Sequence, residues 1–226
     1  AVYERIFIIG PGHREAFRGA AVDGSSEVYS MPLGDVSVDT RTCLELAAAD
    51  SVFHNRRKPF EKEHCLEVQI PFLQVRLKRM PPIVPVIIGS VDGNDLGRIV
   101  RGPKPYFTQE KLFVISSDFS HYPSYDDACK VDRATGDAIL SGSVEEFLNT
   151  LLDNARQRIP GLATSACGQL PIAALLMMMQ GRDDLEIRHL DYRNSGDSQY
   201  GDKDGVVGYH AFTVVYKEPA RHEDSE

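Results

Sequence analysis

Residues 112–121 read L-F-V-I-S-S-D-F-S-H, and the fold turns on how they are read. The apolar run at 112–115 stops at two serines. It is too short for a buried helix and is bounded by polar residues, which predicts a strand. The pattern turns helical on both sides, over 92–100 before it and 126–140 after it. Strands alternating with helices define an α/β domain around a central sheet.

The same alternation extends outward. R-I-F-I-I at 5–9 predicts a strand broken by G-P-G at 10–12, and I-V-P-V-I-I at 83–88 one closed by Gly89. Short strands at 19–22 and 27–30 flank the turn D-G-S-S. A helix over 39–49 has Asp39 or Thr40 as its N-cap and Leu44, Ala47 and Ala48 as its apolar face. A helix over 63–78 aligns Leu66, Ile70, Leu73 and Leu77, and Pro71 sets either a kink or the start. Helices over 144–152 and 169–179 follow. Strands 185–192 and 206–216, joined through the polar segment 193–205 without a helix, predict an antiparallel edge. The expected sheet is therefore mixed, with helices on both faces. One domain is expected over 1–216, followed by a charged, disordered tail at 217–226.

Composition excludes several classes. The 226 residues carry a net charge of −8, and the 25 basic residues form no long cluster. Arg56-Arg57-Lys58 is followed at once by Glu61, Lys62 and Glu63, which reads as a solvated loop. No nucleic-acid groove and no anionic membrane surface are expected. Cys43, Cys65, Cys129 and Cys167 lie far apart without a C-x-x-C pair, which excludes a zinc ribbon or a thioredoxin motif. With no signal peptide and no apolar run long enough to span a bilayer, the expectation is a cytoplasmic protein with four reduced thiols. There is no G-x-S-x-G elbow and no Walker A motif. G-P-G-H-R-E has Glu15 where a dinucleotide fingerprint needs its third glycine.

Polar chemistry gathers where apolar elements end. His13 follows one strand, Asp118 and His121 follow another, and Cys167 opens a helix; ligands in open α/β sheets bind beyond the carboxyl ends of strands. His13 reads as a metal ligand or base, or as a loop histidine bonded to a carbonyl. His13-Arg14-Glu15 imitates half of a facial iron triad, on thin grounds. Asp118 and His121 read equally as a turn or as a pair in which the acid fixes the imidazole tautomer. At a helix N-terminus Cys167 is expected to be stabilised as thiolate, against the alternative of a small buried residue. His64 and Glu67 share a helix face, as surface polar residues or as support for a pocket. Cys43, Cys129 and Met177–Met179 read as core.

Taken in order, G-P-G-H (10–13), E-H-C-L-E-V-Q-I-P-F-L (63–73), V-P-V-I-I-G (84–89), S-S-D-F-S-H-Y (116–122), A-C-G-Q-L-P-I (166–172), L-D-Y-R-N-S-G-D and V-V-G-Y-H-A-F (206–212) resemble the Memo family, named for a mediator of receptor-tyrosine-kinase-driven cell motility. The resemblance covers nearly all of the chain except its acidic tail. It implies a fold like that of class III extradiol dioxygenases, which use non-haem iron, and a protein that binds copper or iron and takes part in redox chemistry. By resemblance, His13 and Cys167 are metal ligands. His121 is a third ligand or an acid–base residue oriented by Asp118, and His64 and Glu67 stand at the pocket wall. The family's Pro-His-Ala-Gly-Tyr segment, which carries a further histidine ligand, has no match in these residues. Either the natural N-terminus lies outside these residues or one strand and one ligand are lost; the second case implies a smaller ligand set and a sheet edge open to a partner, a second copy included. Two other readings stand beside this one. The same pocket could receive a phosphotyrosine peptide or signalling protein without catalysis, or Cys167 could be a hydrolase nucleophile with His13 or His121 and Asp118.

Overall fold

The structure is a computed structural model that describes residues 2–217. The charged tail expected at 217–226 lies outside the described residues, apart from Lys217. The described residues group into two compact units, one of residues 2–118 and 166–178, the other of 119–165 and 179–217.

The first unit is α/β, with a five-stranded mixed sheet flanked by helices. Its strands are β1 (Arg5–Pro11), β2 (Ala20–Val22), β5 (Phe53–Asn55), β6 (Ile83–Ile88) and β7 (Lys111–Ile115), in the order β5-β2-β6-β1-β7. A separate pair, β3 (Val28–Tyr29) and β4 (Val36–Ser37), is antiparallel. β1 lies between two parallel neighbours, with Phe7 opposite Val84 on one side and Phe113 on the other. A strand covered on both faces must be apolar throughout, and Ile6, Phe7, Ile8 and Ile9 are all buried.

The sheet is mixed, but not through the antiparallel edge expected of the last two strands. β2 runs antiparallel to β6 and so breaks the parallel order. The last two strands are no edge of this sheet; they form a two-stranded sheet in the other unit. β4 and β5, of two and three residues, were too short to show a period.

Helix α1 (Thr40–Ala49) is capped by Asp39, whose carboxylate accepts from the Thr42 N–H and hydroxyl. The cap fixes the helix's rotation, so its buried side is Thr42, Cys43 and Leu46, while Leu44 of the expected face is 47% exposed. The expected helix over 63–78 is shorter: a 3-10 turn at Glu67–Gln69 leads into α2 (Ile70–Arg76), with Pro71 in its first turn. Of the two roles open to the proline, it takes the start, because it lacks the N–H an interior position needs. α3 (Asp95–Arg101) begins three residues later than expected. The apolar helix α6 (Gln169–Met179) contributes Ala174 and Met178 to the core.

The second unit holds α4 (Tyr125–Leu140), α5 (Val144–Arg156) and the hairpin β8 (Leu185–Asn194) and β9 (Gly208–Tyr216). Ser124 and Ser143 cap the two helices by accepting from Asp127 and Glu146 N–H groups. α5 runs a turn further than expected, and the buried Asn154 in that turn donates to Thr135 Oγ1 of α4 at 3.2 Å. Asp132 is fully buried. It accepts the Ser120 N–H and hydroxyl at 2.8 and 2.9 Å and the Tyr192 hydroxyl at 2.8 Å. Among the described residues no helix is long and apolar enough to cross a membrane.

Candidate functional site

β1 and β7 are parallel neighbours, so their carboxyl ends fall side by side. The chain beyond β1 reaches His13, and that beyond β7 reaches Ser116, Ser117 and Asp118.

His13 is held by a residue the sequence reading had placed in solvent. Glu63, with 1% of its side chain exposed, accepts the His13 backbone N–H at 2.6 Å and pairs with His13 Nδ1 at 3.0 Å. The same carboxylate accepts the N–H groups of His64 at 3.0 Å and Cys65 at 3.2 Å. Burial works to raise its pKa, but the bonds from the His13 ring and these amides outweigh it and hold the carboxyl below its ordinary range. An ionised carboxylate only accepts, so His13 Nδ1 carries the proton, and in the neutral ring the lone pair is on Nε2. That is the usual outer arrangement of a metal-binding histidine. The His64 ring stacks on that of His13, centroids 5.7 Å apart, and donor atoms of His13, Glu63 and His64 all lie within 4.8 Å of one another.

Close backbone packing makes this possible. A Cβ on Gly10 would stand 2.6 Å from Cys65 Sγ, so glycine lets the 63–66 segment lie on the end of β1. Cys65 donates its thiol to the Pro11 carbonyl at 3.2 Å, and its own carbonyl accepts the Ser116 hydroxyl at 2.6 Å. Ser116 thus ties the two strand ends together.

Cys167 sits over the end of β7. Its Sγ accepts the Asp118 N–H at 3.2 Å, and its own N–H donates to the Asp118 carbonyl at 3.1 Å. The Gly168 N–H donates to Ser117 Oγ at 2.9 Å. The expected thiolate is not what this environment favours. Burial pushes the Cys167 thiol up and the Asp118 charge adds to it, against smaller opposing help from the Asp118 and Gly168 amides and the Ser117 hydroxyl. Alkylation of Cys167 is therefore expected to be slow at neutral pH and to rise only above about 8.5, where an ordinary thiol ionises. Rapid modification under mildly acidic conditions, followed by mass spectrometry, would overturn this and favour the nucleophile reading.

The other expected residues divide. His64 belongs to the histidine–glutamate cluster, but from a loop and not from a helix. Glu67 lies in the 3-10 turn, exposed, so the shared helix face does not exist. His64 precedes the 3-10 turn and Glu67 opens it, which separates the two. Asp118 and Cys167 meet in the first unit. His121 falls in the second, where its N–H donates to the Thr164 carbonyl at 3.0 Å and its carbonyl accepts from Ala163. The sequence reading missed Glu63. Its one signal was its place directly before His64 in E-H-C-L-E.

The first unit is thus an α/β fold with a histidine–carboxylate pair after β1 and a cysteine thiol over the end of β7. A family model described as Memo-like protein matches residues 1–213. A MEMO1 family protein of Methanosarcina mazei is 32% identical over 212 residues, covering 92% of this chain and 74% of its own length. One from Methanosarcina acetivorans is 34% identical with the same coverage. The memo-1 homolog of Caenorhabditis elegans is 31% identical, covering 92% of this chain and 65% of its own. The chain belongs to the Memo family.

Proposed function

We propose that this protein is a metal-binding redox protein, holding copper or iron through His13 and Cys167, and that it acts in the cytoplasm in signalling. The observation that carries the reading is the grip of Glu63 on His13. A buried carboxylate bonded to Nδ1 and to three backbone amides has no need of such elaboration for a loop histidine. It makes sense where Nε2 must be aimed and kept basic. The donor set fits the metals: imidazole suits copper and iron, and a cysteine sulfur adds a soft donor that favours copper(I). When bound, such an ion would supply one-electron exchange, which none of these side chains provides alone. The resemblance adds His121 as a ligand or acid–base residue with Asp118 orienting it; that part rests on the motif.

Because Cys167 is held as thiol in the metal-free protein, binding must displace its proton, and affinity is expected to rise with pH. Copper(I) or iron(II) titration followed by calorimetry should give one equivalent in the wild type. Cys167→Ser and His13→Ala should each weaken binding by about tenfold or more. Unchanged affinity in both variants would sink the assignment. Phosphotyrosine-peptide binding that survives both metal removal and Cys167→Ser would favour the scaffold reading.

A further inference from the structure

We propose that the second unit carries a divalent transition-metal site of its own, built on His189 and His210 in the pocket between α4 and the β8–β9 hairpin, with zinc as the ion it suits best. The pocket has a volume of about 440 Å³, and its lining includes Cys129, Arg133, Asp137, His189, Tyr192 and His210.

The hairpin's register places the two imidazoles together. His189 stands opposite Phe212, and Tyr192 opposite His210. Residues 189 and 192 are an odd number apart and would point to opposite faces of a regular strand. An irregularity between His189 and Asp191 absorbs one residue, so both turn to the face that carries His210 and Phe212. His189 Nε2 then meets His210 Nδ1 at 2.9 Å.

The proton positions follow from the partners. His210 Nε2 lies 2.9 Å from the Asp132 backbone carbonyl, which can only accept, so Nε2 carries the proton. Burial is the main influence lowering the His210 pKa, helped by His189 and opposed by the Asp132 carbonyl and Asp137, which keeps the ring neutral. Nδ1 is therefore a bare lone pair facing His189, which donates from Nε2. A neutral imidazole anchored through its far N–H to a backbone carbonyl is the arrangement of a metal ligand.

The pair supplies two of the four ligand positions of a zinc ion. Two nitrogens at 2.0–2.1 Å from a tetrahedral zinc are about 3.3 Å apart. The observed 2.9 Å needs to open by roughly 0.4 Å, which rotation of the exposed His189 side chain provides. The proton on His189 Nε2 passes through solvent to Nδ1 as the metal takes its place, so the ring stays neutral. Asp137 on the same lining offsets the charge of Arg133. The remaining positions face the open pocket and take water.

The test follows the ring signals of His189 and His210 by NMR while zinc is added to the full chain. Both should shift together and saturate near one equivalent, and His189→Ala should weaken that event by about tenfold or more. His189 is exposed, so its removal leaves the fold intact. His13→Ala and Cys167→Ser should leave this event unchanged, which separates it from binding in the first unit. Ring signals that stay put under excess zinc, or an unaltered affinity in His189→Ala, would overturn the proposal and leave the pair as a hydrogen bond of the hairpin.

Discussion

Glu63→Ala is expected to destabilise the protein by about 2–4 kcal/mol and to weaken copper or iron binding by about 10–100-fold. The stability loss comes from what stays behind. The Cys65 N–H is buried and has no water to replace the carboxylate, whereas the more exposed His13 and His64 amides can be hydrated. The metal effect has a different origin, because without Oε1 the His13 ring is free to rotate and its tautomer is no longer fixed. Glu63→Gln separates the two. It keeps the volume and one carbonyl acceptor, so most of the stability should return, while the affinity should recover only in part because a neutral amide polarises the His13 ring less than a carboxylate. The pH dependence has a definite sign. A carboxyl held below its ordinary range stabilises the fold above that range, and the contribution is lost as pH falls through the depressed value. Wild type should lose stability relative to Glu63→Gln on acidification, measured by urea midpoints across pH 3–6. Parallel curves would refute the role given to this residue.

Glu63 also shows where sequence reading stops. The apolar runs of β1 and β6 were legible because strands covered on both faces must be apolar throughout, and that of β7, a half-buried edge strand, because polar residues bound it; both patterns are local. The short strands β4 and β5 owe their existence to a neighbour's edge, and nothing in two or three residues announces that. Helix α1 was legible, but of its expected face only Ala47 packs against the core. Asp39 and Thr42 set the rotation through hydrogen bonds, which hydrophobic periodicity does not count. At the site, His13 and Cys167 stood out because they end regular elements. Glu63 sits among Glu61, Lys62 and Arg57, where charge density reads as solvent. Only the tertiary fold distinguishes a buried carboxylate in such a run, by supplying the amides that make its burial tolerable.

Gly168→Ala carries the second large effect, because it strikes at Cys167 without touching its chemistry. A Cβ there would fall 2.5 Å from Ser117 Cβ and 2.6 Å from the Ser116 carbonyl oxygen. Rotating the serine side chain cannot relieve a clash with backbone, so the start of α6 must move away from the end of β7. That movement stretches the Gly168 N–H bond to Ser117 Oγ and the Cys167 N–H bond to the Asp118 carbonyl. Overpacking of this kind costs about 1–3 kcal/mol, and the strained bonds place the expected loss at the upper end. Displacement should also expose the thiol, so alkylation of Cys167 at a fixed alkaline pH should quicken while metal affinity falls. Gly93 is the control, since a Cβ there meets nothing within 4 Å, and Gly93→Ala should change neither reading. If Gly168→Ala lowers stability but leaves both alkylation and metal binding at wild-type values, the close approach serves packing alone and Cys167 does not depend on its seat over β7.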